Sequence, residues 1–141
     1  MPTRKASAKW EGDLKTGNGN MKGESGAFEA PFSFTTRFQD EPGTNPEELI
    51  GAAHAGCFSM AFSGAVGEAG YEPKSVETSA DVTIEEVDGD FAISTIVLNM
   101  EAEIPGIDED TFQETAEAAK NGCPVSKALK GVNIKLNATL K

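Results

Sequence analysis

Between Glu48 and Glu68 this chain carries no charged residue, and that gap restricts the folds open to it. The stretch Asn45 to Gly67, NPEELIGAAHAGCFSMAFSGAVG, is built mainly of small residues, among them Gly51, Ala52, Ala53, Ala55, Gly56, Ala61, Gly64 and Ala65. A helix of this composition is thin on most sides and can be packed closely all round, which predicts a buried central helix. A membrane span is the competing reading, because roughly 20 apolar residues suffice to cross a bilayer. The glycines, His54 and the scarcity of Leu and Ile make a poor lipid-facing surface, so the soluble core helix is preferred.

The signals at the ends of this helix are clear. Asn45 is a good N-cap, Pro46 suits the first helical position, and Glu47 and Glu48 put negative charge on the first turn. Gly70 offers a left-handed stop near Glu68, with Pro73 following. Before the helix, Ala6, Ala8 and Trp10 alternate with polar residues as a strand does, and two more short strands are expected at Asn18 to Glu24 and Ala27 to Glu29. Arg37-Phe38 then leads into a loop, QDEPGTNP.

After the helix, Ala80, Val82 and Ile84 form one apolar face, and Asp88-Gly89 turns the chain into Phe91 to Ile104. That second strand changes phase, which predicts a bulge near Ser94-Thr95. Asp108 caps a helix through about Lys120, Cys123-Pro124 starts a short helix over PVSKALK, and Val132 to Leu140 alternates as a closing strand. The expected order is βββ-α-ββ-α-α-β, an α+β fold in one domain, residues 1–141.

A formal net charge of −11 argues against nucleic acid or an anionic membrane surface as partners. The N-terminus lacks an apolar signal region, so a reducing, cytoplasmic setting is expected. Two cysteines in such a compartment are core residues, metal ligands or redox centres before they are a permanent staple. With His54 as the sole histidine they cannot complete a four-ligand zinc site of soft ligands in one chain.

Cys57 lies mid-helix and is by itself compatible with an inert core thiol. Cys123 precedes a helix N-terminus, where a thiolate is stabilised. If the two meet, one can attack a substrate and the other resolve the product. A buried thiolate needs a cation, and Arg37 is the candidate beside Arg4 near the terminus. Glu48 is the candidate to hold its guanidinium, or else to cap its own helix. Nine residues separate Glu48 from Cys57, about 13–14 Å along a helix and about half a turn around it. They point opposite ways, which predicts an obligate homodimer whose two sites are composite. His54 shares the Cys57 face and invites a Cys–His hydrolase reading, although no third group orients the imidazole.

The motifs TNPEELIGAAHAGCFSMA, EAGYEP, PGID, NGCPVSKAL and the early WEGD resemble the OsmC/Ohr family of osmotically inducible and organic hydroperoxide resistance proteins, most closely its OsmC branch. The resemblance spans essentially the whole chain, with Gly56 and the Gly64-Ala65-Val66-Gly67 helix end as departures. It implies an intertwined α+β homodimer with long central helices wrapped by antiparallel sheets, and a thiol-dependent peroxidase of oxidative and osmotic stress defence. By the same resemblance Cys57 matches the peroxidatic cysteine and Cys123 the resolving one, with Arg37 and Glu48 as the activating pair. The implied reaction forms a Cys57 sulfenate and then a Cys57–Cys123 disulfide, reduced by a dithiol such as dihydrolipoamide or a lipoylated protein. Phe58, Met60 and Phe62 are candidates to line a pocket favouring organic hydroperoxides over hydrogen peroxide. The rivals are a non-catalytic dimeric stress or binding protein and a Cys–His thiol hydrolase.

Overall fold

Asp13 closes the first hairpin, its carboxylate accepting from the N–H and the hydroxyl of Thr16 at 2.7 Å each. The computed structural model describes residues 1–141 as two compact units, Met1–Leu49 and Ile50–Lys141. In the first unit β1 (Ala6–Glu11), β2 (Asn18–Gly23) and β3 (Glu29–Phe32) form an antiparallel sheet in that order. Gly19 sits between two rings: a Cβ there would lie 2.6 Å from Phe32 and 2.7 Å from Trp10, so only glycine lets those rings meet at 5.4 Å. Pro31 is tolerated in β3 because that strand is an edge.

The third strand lies later than the Ala27 to Glu29 expected, and it leads into a helix that the strand-to-loop reading misses. This is α1 (Phe34–Phe38), opened by Ser33, whose side chain and that of Thr36 cap each other's backbone N–H groups. Five residues are too few to show a helical period, and threonine replaces the usual Glu or Gln of such a box.

α2 (Pro46–Glu68) starts as expected, with the Asn45 side chain accepting the Glu48 N–H at 2.8 Å, and it stops before Gly70 at a φ of 94°. In the second unit β4 (Ser75–Val87) and β5 (Asp90–Glu103) pair antiparallel through Asp88 and Gly89, both at positive φ as a tight hairpin requires. The expected bulge is present: Thr83 faces Thr95 and Ile84 faces Ile93, leaving Ser94 unpaired. α3 (Glu109–Gly122) and α4 (Pro124–Ala128) then carry the chain over to β6 (Asn133–Leu140), which joins β5 in parallel. The second sheet is therefore mixed rather than antiparallel, because a helical crossover returns the chain in the same direction.

Phe58, Phe62 and Val66 of α2 pack with Ile96, Leu98 and Met100 of β5 and with Phe112 and Ala116 of α3. Phe62 meets Phe112 edge to face at 5.6 Å, and burying each such ring contributes about 1.5–3 kcal/mol. The helix is not covered on every side within one chain. Glu47, Gly51, His54, Phe58, Phe62 and Val66 form a buried stripe, whereas Glu48, Ala52, Gly56, Met60, Gly64 and Gly67 form an exposed one. By length and composition alone α2 could cross a membrane, but the buried stripe is packed on the sheet and α3.

Candidate active site

The second unit brings its two cysteines together across 66 positions of sequence, with Cys57 Sγ and Cys123 Sγ 2.8 Å apart and both thiols free. α2 supplies half-buried Cys57, and the break between α3 and α4 supplies Cys123. Cys123 occupies the N-cap position of α4 with Pro124 next, and its own N–H closes α3 on Ala119. The arrangement holds both sulfurs on structured elements, so a disulfide between them would need no distant loop to be brought in.

The two thiols are not equivalent. Burial pushes the Cys57 thiol up and Cys123 adds to that rise, against a pull down from the Val125 backbone. Burial also opposes ionisation of Cys123, but hydrogen bonding to Cys57 and to the N–H and hydroxyl of Ser126 outweighs it and lowers that thiol. Among residues 50–141 no cation acts on Cys57. His54, one turn earlier on α2, is fully buried and kept neutral by that burial. Its Nε2 lies 2.7 Å from Ser126 Oγ, so the imidazole is engaged with a serine rather than with Cys57 as a Cys–His hydrolase requires.

In the first unit Arg37 ends α1 and donates from Nε to Glu47 Oε1 at 2.8 Å. The guanidinium also lies over the Phe38 ring, 5.2 Å from its centroid. The expected partner, Glu48, is exposed, and its N–H is taken by Asn45. The within-chain pairing is thus corrected from Glu48 to Glu47, whose carboxylate is buried with Oε2 unpartnered. The signal was periodicity: Glu47 precedes Gly51, His54 and Phe58 by four, seven and eleven residues, the spacing of one helical face.

The expected pocket residues also move. Phe58 and Phe62 are fully buried in the core, and Met60 is 79 % exposed. An apolar cavity of about 280 Å³ lies instead in the first unit, lined by Trp10, Leu14, Phe32, Phe34 and Phe38, with Arg37 at its wall. No cluster of three or more His, Cys, Asp or Glu is placed to hold a metal ion.

The sequence profile of the family described as OsmC-like protein matches residues 38–137. The chain is 53 % identical over 139 residues to peroxiredoxin OsmC of Escherichia coli K12, covering 98 % of this chain and 96 % of that protein. It is 37 % identical over 101 residues to organic hydroperoxide resistance protein OhrB of Bacillus subtilis, covering 70 % and 71 % of the two chains. Among solved structures, an organic hydroperoxide resistance protein from Elizabethkingia anophelis superposes with a TM-score of 0.78 at 26 % identity, covering 100 % of this chain and 98 % of that one.

Proposed function

The chain belongs to the OsmC family, and from that premise we propose that Cys57 reduces organic hydroperoxides in a site completed by a second copy of the chain. The activity is that of a cysteine-based peroxidase in hydroperoxide defence. The observation that carries the mechanism is the 2.8 Å approach of Cys57 and Cys123.

In the first step the Cys57 thiolate attacks the terminal peroxide oxygen. An S–O bond forms, the O–O bond breaks, and the alkoxide leaves and takes a proton from water to give the alcohol. In the second, the Cys123 sulfur attacks the Cys57 sulfenic acid. The S–S bond forms, and the hydroxyl departs with the Cys123 proton as water. A dithiol such as dihydrolipoamide or a lipoylated protein restores both thiols by exchange, and no bound cofactor enters.

Two observations support a homodimer. The exposed stripe of α2 carries no charge after Glu48 until Glu68, and a Cβ added at Gly56, Gly64 or Gly67 meets nothing within 4 Å, so a twin helix has room to approach closely. Cys57 also needs a cation. Glu47 and Cys57 are ten residues apart, about 15 Å along one helix, so the Arg37–Glu47 pair most simply serves the Cys57 of a partner copy. There Arg37 opposes the rise that burial imposes on Cys57, and the aromatic cavity beside Arg37 receives the organic group of the peroxide. Both units act as one domain in a cytoplasmic dimer with no nucleic-acid or membrane partner.

The test is intact mass after one equivalent of an organic hydroperoxide. The parent should lose two hydrogens, Cys123→Ser should trap the sulfenate, and Cys57→Ser should not react. An unchanged parent mass returns the chain to a non-catalytic binding or stress role.

A further inference from the structure

His54 and Ser126 are buried polar residues with no part in the steps above. His54 is fully buried on α2 and Ser126 is 7 % exposed on α4, and 72 positions of sequence separate them. Their 2.7 Å contact ties α2, which carries Cys57 at its middle, to α4, whose N-cap is Cys123. Buried polar groups are costly unless bonded, so a pair this deep needs a reason.

We propose that His54 is a positioning residue which, through the Ser126 hydroxyl, holds Cys123 ready to close the disulfide. The direction of the hydrogen bond follows from the partners of the ring. Nδ1 has none, and buried N–H groups are seldom left without an acceptor, so the ring proton sits on Nε2 and is donated to the Ser126 oxygen. The Ser126 hydroxyl proton is then free, three residues after Cys123 on the first turn of α4, where it favours the thiolate. Burial keeps the ring neutral. After Cys57 has become a sulfenic acid, Cys123 no longer faces the Cys57 thiol, and the Ser126 hydroxyl remains to stabilise its developing thiolate. The proton of Cys123 leaves with the Cys57 hydroxyl as water, so His54 and Ser126 exchange no net proton.

The charged and titratable groups around this pair are few. Cys57 faces Cys123 from α2, while Lys120 of α3 lies near Ser126 with its ammonium 2.7 Å from Glu117. Lys127 and Lys130 line the same open cavity of about 300 Å³ as Ser126 and Lys120. Of these groups the substitutions below change only Cys57, which is Ser in both the reference and the test variants of the first experiment.

The proposal rests on the peroxidase reading for its consequence, but its first test does not. In a Cys57→Ser background, the pH midpoint for alkylation of Cys123 by iodoacetamide should rise by about one unit on adding Ser126→Ala or His54→Leu. Ser126→Thr and His54→Gln keep a hydroxyl and a donor, and should restore the midpoint. In the parent background, peroxide should form the sulfenate at an unchanged rate in Ser126→Ala, while disulfide closure slows about tenfold near pH 7. An unchanged alkylation midpoint in Ser126→Ala overturns the proposal. If His54→Leu loses its circular dichroism, the Ser126→Ala and Ser126→Thr pair decides alone. If no sulfenate forms in the parent, the peroxidase reading fails while the alkylation midpoints still decide the role of His54 and Ser126.

Discussion

One stripe of α2 runs Glu47, Gly51, His54, Phe58, Phe62, Val66, and the other runs Glu48, Ala52, Gly56, Met60, Gly64, Gly67. The first is buried and contains both large rings and the two buried polar groups of the helix, Glu47 and His54, each with a hydrogen-bonded partner. The second is exposed and, Met60 apart, has no large apolar side chain. Low charge is common to both, so hydropathy alone does not separate a face that packs within the chain from one left exposed. Side-chain size does: rings fill a core, whereas glycine and alanine leave room for another backbone.

The largest expected contrast comes from removing a ring. Phe62→Ala on the buried stripe should lose about 3–5 kcal/mol of unfolding free energy in urea titrations, since the cavity opens against Phe58 and Phe112. Met60→Ala on the exposed stripe should show no comparable loss in the dissociated chain.

Next in size is the adjacent pair of acids. Glu47→Gln removes a buried charge from Arg37, and peroxidase kcat/KM should fall on the order of 100-fold, in line with about 2–5 kcal/mol for breaking such a pair. Glu48→Gln should stay within about twofold of the parent, as expected for an exposed charge. Equal losses from the two changes would erase the distinction between the stripes.

A third test acts on assembly. Gly56→Leu meets no atom of its own chain and raises helix propensity by about 1 kcal/mol, so the far-ultraviolet spectrum should hold. Sedimentation should nevertheless shift from dimer toward monomer. A dimer that persists unchanged moves the interface off the exposed stripe.

The smallest effect concerns pH. Burial lowers the His54 pKa from its ordinary 6.5, so below that value the unfolded chain binds a proton that the folded chain refuses. Stability should therefore decline as the pH falls from about 6.5 toward the depressed folded value, by this term alone. In His54→Gln that part of the slope should vanish in thermal melts taken across the window.

Much of this helix could be read from sequence because its signals are local. Asn45, Pro46 and Gly70 mark its ends, and the Ser94 bulge follows from a parity change along one strand. The parallel docking of β6 was not legible, since alternation specifies a covered face and leaves strand direction open. α1 escaped notice because five residues hold little more than one turn. The cysteines were legible as candidates, but their meeting depends on how α3 and α4 fold back, which no spacing contains. Glu47 and Glu48 are indistinguishable as first-turn acids. Extending the stripe from Phe58 and His54 back to the helix start separates them.

The exposed stripe has a consequence for the newly made chain. In the homodimer proposed above, the exposed stripe of α2 would stay open until two copies meet, and an open face of this kind invites any similar surface. Assembly would then be a race governed by concentration, since pairing scales with chain abundance whereas capture by a bilayer does not. The formal charge of −11 would bias that race by repelling anionic lipid. On that proposal, acidity protects the interval between folding and pairing.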